Sequence, residues 1–152
     1  MKNITILIFL LFLSHCGYSS IYKDQQSLDF QLAVIETKGD YEMNNLITNE
    51  IKLYSSKVSQ NIYYIKIDTD YEKEVLAKDS SGVITDYNLS VTSVFSVDLN
   101  NKNKTFKFEE NLNIKNQSDI FEQNMYEKNI KRNFASSIRE KLMSAILVAN
   151  DN

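Results

Sequence analysis

The sequence predicts an α+β domain, a two-layer sandwich in which two helices pack on one face of an about four-stranded mixed or antiparallel sheet, in the order β-α-β-β-β-α. Three observations carry this expectation. Apolar residues recur at intervals of three and four between Met43 and Val58 and again between Phe121 and Ile146, the spacing of one helix face. Between them, from Asn61 to Ile114, apolar and polar residues alternate along three successive segments. Short runs of Asn, Asp, Ser and Gly separate those segments and supply turn chemistry in a chain that has no proline and three glycines.

The first strand is expected from Phe30, Leu32 and Val34, which alternate with Gln31, Ala33 and Ile35, to end near Thr37 before the turn Lys38-Gly39-Asp40. Asp40 is a candidate N-cap for the first helix, whose apolar face is Met43, Leu46, Ile47, Ile51, Tyr54 and Val58. A second strand runs from Asn61 to about Ala77, with Tyr63, Ile65 and Ile67 on one side and Lys66, Asp68 and Asp70 on the other. The turn Asp79-Ser80-Ser81-Gly82 leads to the third strand, where Tyr87, Leu89, Val91, Phe95, Val97 and Leu99 alternate with polar residues and only Ser93 and Val94 fall out of phase. A turn at residues 100–103 precedes the fourth strand, with Phe106, Phe108, Leu112 and Ile114 on its apolar side. Three strands joined by short polar turns form an antiparallel meander with one buried face. The last helix opens at Asp119, which with Glu122 resembles a capping box. Unbroken to residue 149 it would be about 46 Å long at 1.5 Å per residue, so a break near residues 129–133 is expected in a domain of this size.

The chain of 152 residues is long enough for one domain with its own core, and 43% hydrophobic with 24% charged residues is a globular composition. A formal charge of −3 argues against nucleic acid as a partner. The amino terminus has a different character. Lys2 precedes a ten-residue apolar run at 4–13, too short for the roughly 20 residues of a membrane span but suited to a signal peptide. The only cysteine, Cys16, follows at once, and Leu13-Ser14-His15-Cys16-Gly17 resembles a bacterial lipobox. The expected organisation is therefore a signal peptide at 1–15, a lipid on Cys16, a tether at 16–28 and a single domain at 29–150. Acyl chains contribute about 0.8 kcal/mol per buried CH₂, so such an anchor is effectively permanent. Gly17 stands where an Asp would by the usual sorting rule hold a lipoprotein at the inner membrane, which points to the outer membrane.

The only histidine is His15, inside the expected leader, so the domain has no residues for a Ser/His triad, a Cys/His pair or a histidine-containing zinc site. No enzymatic role, cofactor or metal is expected. Asp68, Asp70, Glu72 and Glu74 fall at every second position of a strand and read as its solvated face. Lys128, Lys131, Arg132 and Arg139 gather on the last helix, with 128, 132 and 139 spaced to share a side opposite Ile130, Phe134 and Ile138. This group is either a plain polar face or, through Lys128, Lys131 and Arg132, a contact for phosphates or for acidic loops of a partner. Tyr63, Phe95, Phe106 and Phe108 are expected in the core.

The mature start Cys16-Gly17-Tyr18-Ser19-Ser20-Ile21-Tyr22 resembles the C-G-[FY]-x-x-[LI]-Y opening of LPS-assembly lipoproteins of the LptE family, especially the alphaproteobacterial forms. Length and element order are similar too, as is the character of Asn124, Tyr126 and residues 139–149. The resemblance implies a lipoprotein that faces the periplasm, plugs the outer-membrane barrel LptD, assists its assembly and binds lipopolysaccharide in transit. The alternative is a binding module of another envelope system, such as the auxiliary lipoprotein of a lipid-transporting ABC system.

Overall fold

The computed structural model describes residues 30–54, 59, 61–99 and 102–150. The expected signal peptide, Cys16 and the tether lie outside the described residues, as do Val58 and the turn residues Asn100 and Asn101. Six elements follow in order: β1 (Phe30–Gly39), α1 (Tyr41–Tyr54), β2 (Asn61–Lys78), β3 (Ile84–Leu99), β4 (Lys102–Lys115) and α2 (Ile120–Asn150). The strands form one sheet ordered β1-β2-β3-β4, with β1 parallel to β2 and the other pairs antiparallel. This is the α+β order that the sequence predicts. Both helices lie on one sheet face, where their apolar stripes meet the inward row of every strand in one core.

β1 buries Phe30 and Leu32, then changes phase. Val34 pairs with Ile65 and Glu36 with Lys66, which leaves Ile35 as an extra residue, a bulge that turns Glu36 to the outer face and its carboxylate to 2.8 Å from Lys66. At the end of the strand Gly39 has φ +81°, and a Cβ there would lie 1.9 Å from the Thr69 carbonyl oxygen. Only glycine fits both conditions. The next amide, of Asp40, donates to that same carbonyl at 2.7 Å. The Asp40 carboxylate accepts from Met43 N at 2.8 Å, the N-cap expected for α1. Met43, Ile47 and Ile51, four residues apart, are then fully buried.

The alternation of buried and outward residues holds in β2 from Tyr63 to Asp70 and in β3 from Leu89 to Leu99, and the β2–β3 register shifts only near the end of β2, about Leu76 and Ala77. Ser93 is not out of phase: it pairs with Thr69 and Phe108 in an unshifted register and sits in the buried row, while Val94 faces the other way. The hydroxyls of Thr69 and Ser93 lie 3.1 Å apart and satisfy each other, so two polar residues occupy core positions without a break in the strand. In β4 the inward row is less covered: Ile114 is buried, Phe106 and Phe108 are half-buried, and Leu112 is 41% exposed.

α2 is a single 31-residue helix, and the break expected near residues 129–133 does not occur. Ile130, within that stretch, and Phe134, just after it, are buried, and the supporting strand β2 has 18 residues, about 60 Å at 3.3 Å each. The domain is long enough to carry the whole helix. Its N-cap is Asp119, whose carboxylate accepts from Phe121 N at 2.8 Å and Glu122 N at 2.9 Å. The side chain that reaches back is that of Gln123, accepting from Gln117 N at 2.8 Å.

The two left-handed glycines separate conformational strain from collision. Gly82, at φ +83°, has open space around its Cβ position. Gly82→Ala should therefore cost only the strain of a left-handed residue, about 1 kcal/mol. Gly39→Ala must in addition displace the Thr69 backbone and should cost at least about 2 kcal/mol in urea unfolding. Equal losses for the two variants would contradict this account.

Candidate functional site

The basic group on α2 divides once its neighbours are in place. Lys131 points to the sheet. Its side chain is 14% exposed, its ammonium lies 2.5 Å from the Glu42 carboxylate of α1 and 4.2 Å from the ring centroid of Tyr71 on β2. Arg139 is buried rather than on the polar side expected for it, with Nε 3.7 Å from the Glu50 carboxylate of α1 and Nη2 donating to Ser136 Oγ at 3.1 Å. Lys128 and Arg132 remain exposed, and among the described residues neither joins an ion pair. Arg132 has only a long contact of 3.4 Å with Asn129 Oδ1. At 100° per residue they share a helix face with Phe121 and Met125, which are 70% and 43% exposed. The site is thus a stripe, Phe121-Met125-Lys128-Arg132, apolar at its start and cationic at its end.

Beneath the stripe a polar set fastens α2 to β2. Lys73 pairs with Glu127 and lies 4.1 Å from the centroid of the Tyr87 ring, while Glu127 also accepts from Gln123 Nε2 at 2.6 Å. Tyr71, between these groups and Lys131, has an enclosed hydroxyl with no hydrogen-bond partner among the described residues. Burial first, then Glu127, Glu42 and Asp40, push its pKa up to about 12, so it stays neutral at physiological pH.

Elsewhere the surface is of two kinds. On the outer face of the sheet Asp68, Asp70, Glu72 and Glu74 are exposed beside the short polar side chains of Asn88, Ser90, Thr92 and Ser96. Among the described residues no group of three or more His, Cys, Asp or Glu could hold a metal ion, and no helix is long and apolar enough to cross a membrane. On the inner face, the half-buried Phe106 and Phe108, expected in the core, stack with centroids 6.5 Å apart and floor an open groove of about 640 Å³ between β4 and α2, rimmed by Lys104 and Lys141. Both lysines are engaged, Lys104 with the Ala149 carbonyl at 2.9 Å and Lys141 with Glu110 at 2.6 Å.

No protein-family model matches the sequence, and no curated protein does. The solved structures do match. The fold is one that several solved bacterial lipoproteins share. Rare lipoprotein B from Shewanella oneidensis superposes with a TM-score of 0.55 at 16% identity, over 77% of this chain and 98% of that one. Lipoprotein B from Nitrosomonas europaea gives 0.51 at 14% identity over 85% and 94%. A protein from Caulobacter crescentus described as a lipoprotein gives 0.53 at 9% identity over 82% and 93%.

Two variants probe the division of labour on α2. Lys131→Gln removes a half-enclosed ion pair and a cation–π contact and should lower stability by about 1 kcal/mol, whereas the Lys128→Gln, Arg132→Gln double variant should unfold within about 0.5 kcal/mol of the parent. Tyr71→Phe deletes a hydroxyl that is enclosed and unsatisfied and should leave stability unchanged or raise it by up to about 1 kcal/mol. A marked loss in that variant would mean that the hydroxyl has a partner in the folded protein.

Proposed function

We propose that the chain is an outer-membrane lipoprotein, anchored through Cys16 and facing the periplasm, that plugs and assists assembly of an LptD-type barrel and binds lipopolysaccharide on its way to the surface. It has no catalytic step of its own. The observation that carries the reading is the pairing of a lipobox-like opening at residues 13–17 with a domain that covers 98% of the rare lipoprotein B chain. Physical fit supports it. Apart from an exposed apolar corner at Ile35, Ile62 and Tyr64, the outer sheet face is dominated by charged groups, hydroxyls and amides, a surface suited to a water-lined barrel interior rather than to lipid. An N-terminal lipid holds such a body at the periplasmic mouth, and enclosure by the barrel stabilises the folded state by mass action.

The test is purification in mild detergent of the full-length protein from its own envelope, after metabolic labelling with a fatty-acid probe. The expected result is a labelled protein in complex with an outer-membrane barrel, with loss of both label and complex in Cys16→Ser, and a lower protein level when the barrel is depleted. Co-purification with inner-membrane transporter subunits would overturn the reading in favour of another envelope system, as would a label that survives Cys16→Ser.

A further inference from the structure

The first layer pair ends early. β1 pairs with β2 only as far as Gly39 opposite Thr69, yet β2 continues to Lys78, and among the described residues no strand lies beside that continuation on the β1 side. α1 begins at the same level and runs back from it. Glu42 meets Lys131 and Glu50 meets Arg139, equal steps along both helices, so α1 and α2 run parallel with the first turn of α1 level with residue 131. Residues 120–129 of α2, about 15 Å of helix, stand past it. The molecule therefore has a step, with α2 as its wall and the inward row of distal β2, Tyr71, Lys73 and Val75, as its floor.

The wall is the same helix face that α1 covers further along. Phe121, Met125, Lys128 and Arg132 fall within an arc of about 60° at 100° per residue, and the next residues of that line, Ala135 and Arg139, are buried. Where α1 is present the face is closed by packing and the Arg139–Glu50 pair. Past the start of α1 it presents an aromatic ring, a thioether and the Lys128 ammonium to solvent, and Arg132, level with the first turn of α1, is exposed as well.

We infer that this step is the docking site for a peptide segment of a partner protein, one that sets an apolar side chain on Phe121 and Met125 and carboxylates on Lys128 and Arg132. Charge singles out the occupant. Lys73, Lys131 and Arg139, the neighbouring cations, are each matched by a carboxylate within the fold, while Lys128 and Arg132 join no ion pair among the described residues of a chain that is net −3. Spacing defines the segment. Phe121 and Lys128 are about 10 Å apart along the helix, which an extended chain spans in about three residues. Among the described residues the step is walled on one side only, by α2, which favours a polypeptide laid along it over a small ligand that needs an enclosing pocket. The bare edge of β2 is not the attachment point, because the inward Lys73 and the register shift at Leu76 guard it against strand addition. The segment is gripped by side chains of α2.

This proposal takes from the preceding section only the expectation that the partner is an outer-membrane barrel. In its test, a photo-reactive benzoylphenylalanine replaces Phe121 or Met125 in the full-length protein in cells, with Asn111 on the outer sheet face as reference, and adducts are identified by mass spectrometry. The expected result is a protein adduct at 121 and 125, attached at a segment bearing carboxylates, with a yield that falls at least tenfold when Lys128→Glu and Arg132→Glu are added while circular dichroism is unchanged. Adducts at 111 alone, no protein adduct at any position, a lipid adduct at 121, or a yield indifferent to charge reversal would each overturn it. A charge-dependent partner that is not a barrel would uphold the docking site and overturn the barrel reading. A barrel captured at 111 but not at 121 or 125 would do the reverse.

Discussion

One backbone contact decides where the first half of the sandwich ends. The Thr69 carbonyl accepts the Asp40 amide at 2.7 Å and leaves no room for a Cβ on Gly39, so β1 must stop and the chain must leave the sheet there. Asp40 can then cap α1 at once, and the buried Met43, Ile47 and Ile51 fix the helix over β1 and β2. The position of α1 in turn sets its level against α2. A turn one or two residues later would lengthen the covered part of β2 and shift Glu42 and Glu50 past Lys131 and Arg139. The step beside residues 120–129 is thus a consequence of a local turn, not of loose packing.

Apolar burial supplies the stability, and the ion pairs supply alignment. Phe95, Ile65, Ile67, Leu89, Ile138, Leu142 and Ile146 are fully enclosed between the layers, the arrangement in which removal of apolar surface from water dominates folding. The pairs Lys131–Glu42 and Lys73–Glu127 retain partly exposed members, and pairs of that kind contribute little net free energy. They do favour one register of a long helix on a long sheet, where sliding by one turn would unpair both. Arg139, almost wholly enclosed beside Glu50 and Ser136, plays the same part between the two helices. Two cations of α2, Lys131 and Arg139, are thereby committed to the fold, and Lys128 and Arg132 are left to the surface.

Most of the fold was legible because its signals are local. Asp40 and Asp119 act as caps through hydrogen bonds to amides two or three residues on, and alternation marked β2, β3 and β4. Long-range matters were not. Ser93 looked out of phase because its partner Thr69 lies 24 residues away, and only the register shows that the two hydroxyls satisfy each other in the core. The bulge at Ile35 leaves no mark in the local pattern. Chain length alone argues for a break in α2, whereas three strands of 14 to 18 residues make the body long enough to carry it unbroken. Helical spacing could group Lys128, Arg132 and Arg139 on one side, but not show that α1 covers that side at 139 and leaves it bare at 128 and 132.

The central claim is that α2 is one unbroken helix, covered by α1 along its second half and uncovered along its first. Amide hydrogen exchange, followed by mass spectrometry on the full-length protein alone and in its native complex, measures this directly. The account expects slow exchange at 133–146 in both states, and faster exchange at 120–129 in the free protein that slows in the complex. Strong protection of 120–129 without a partner, or a fast-exchanging break at 129–133, would contradict it.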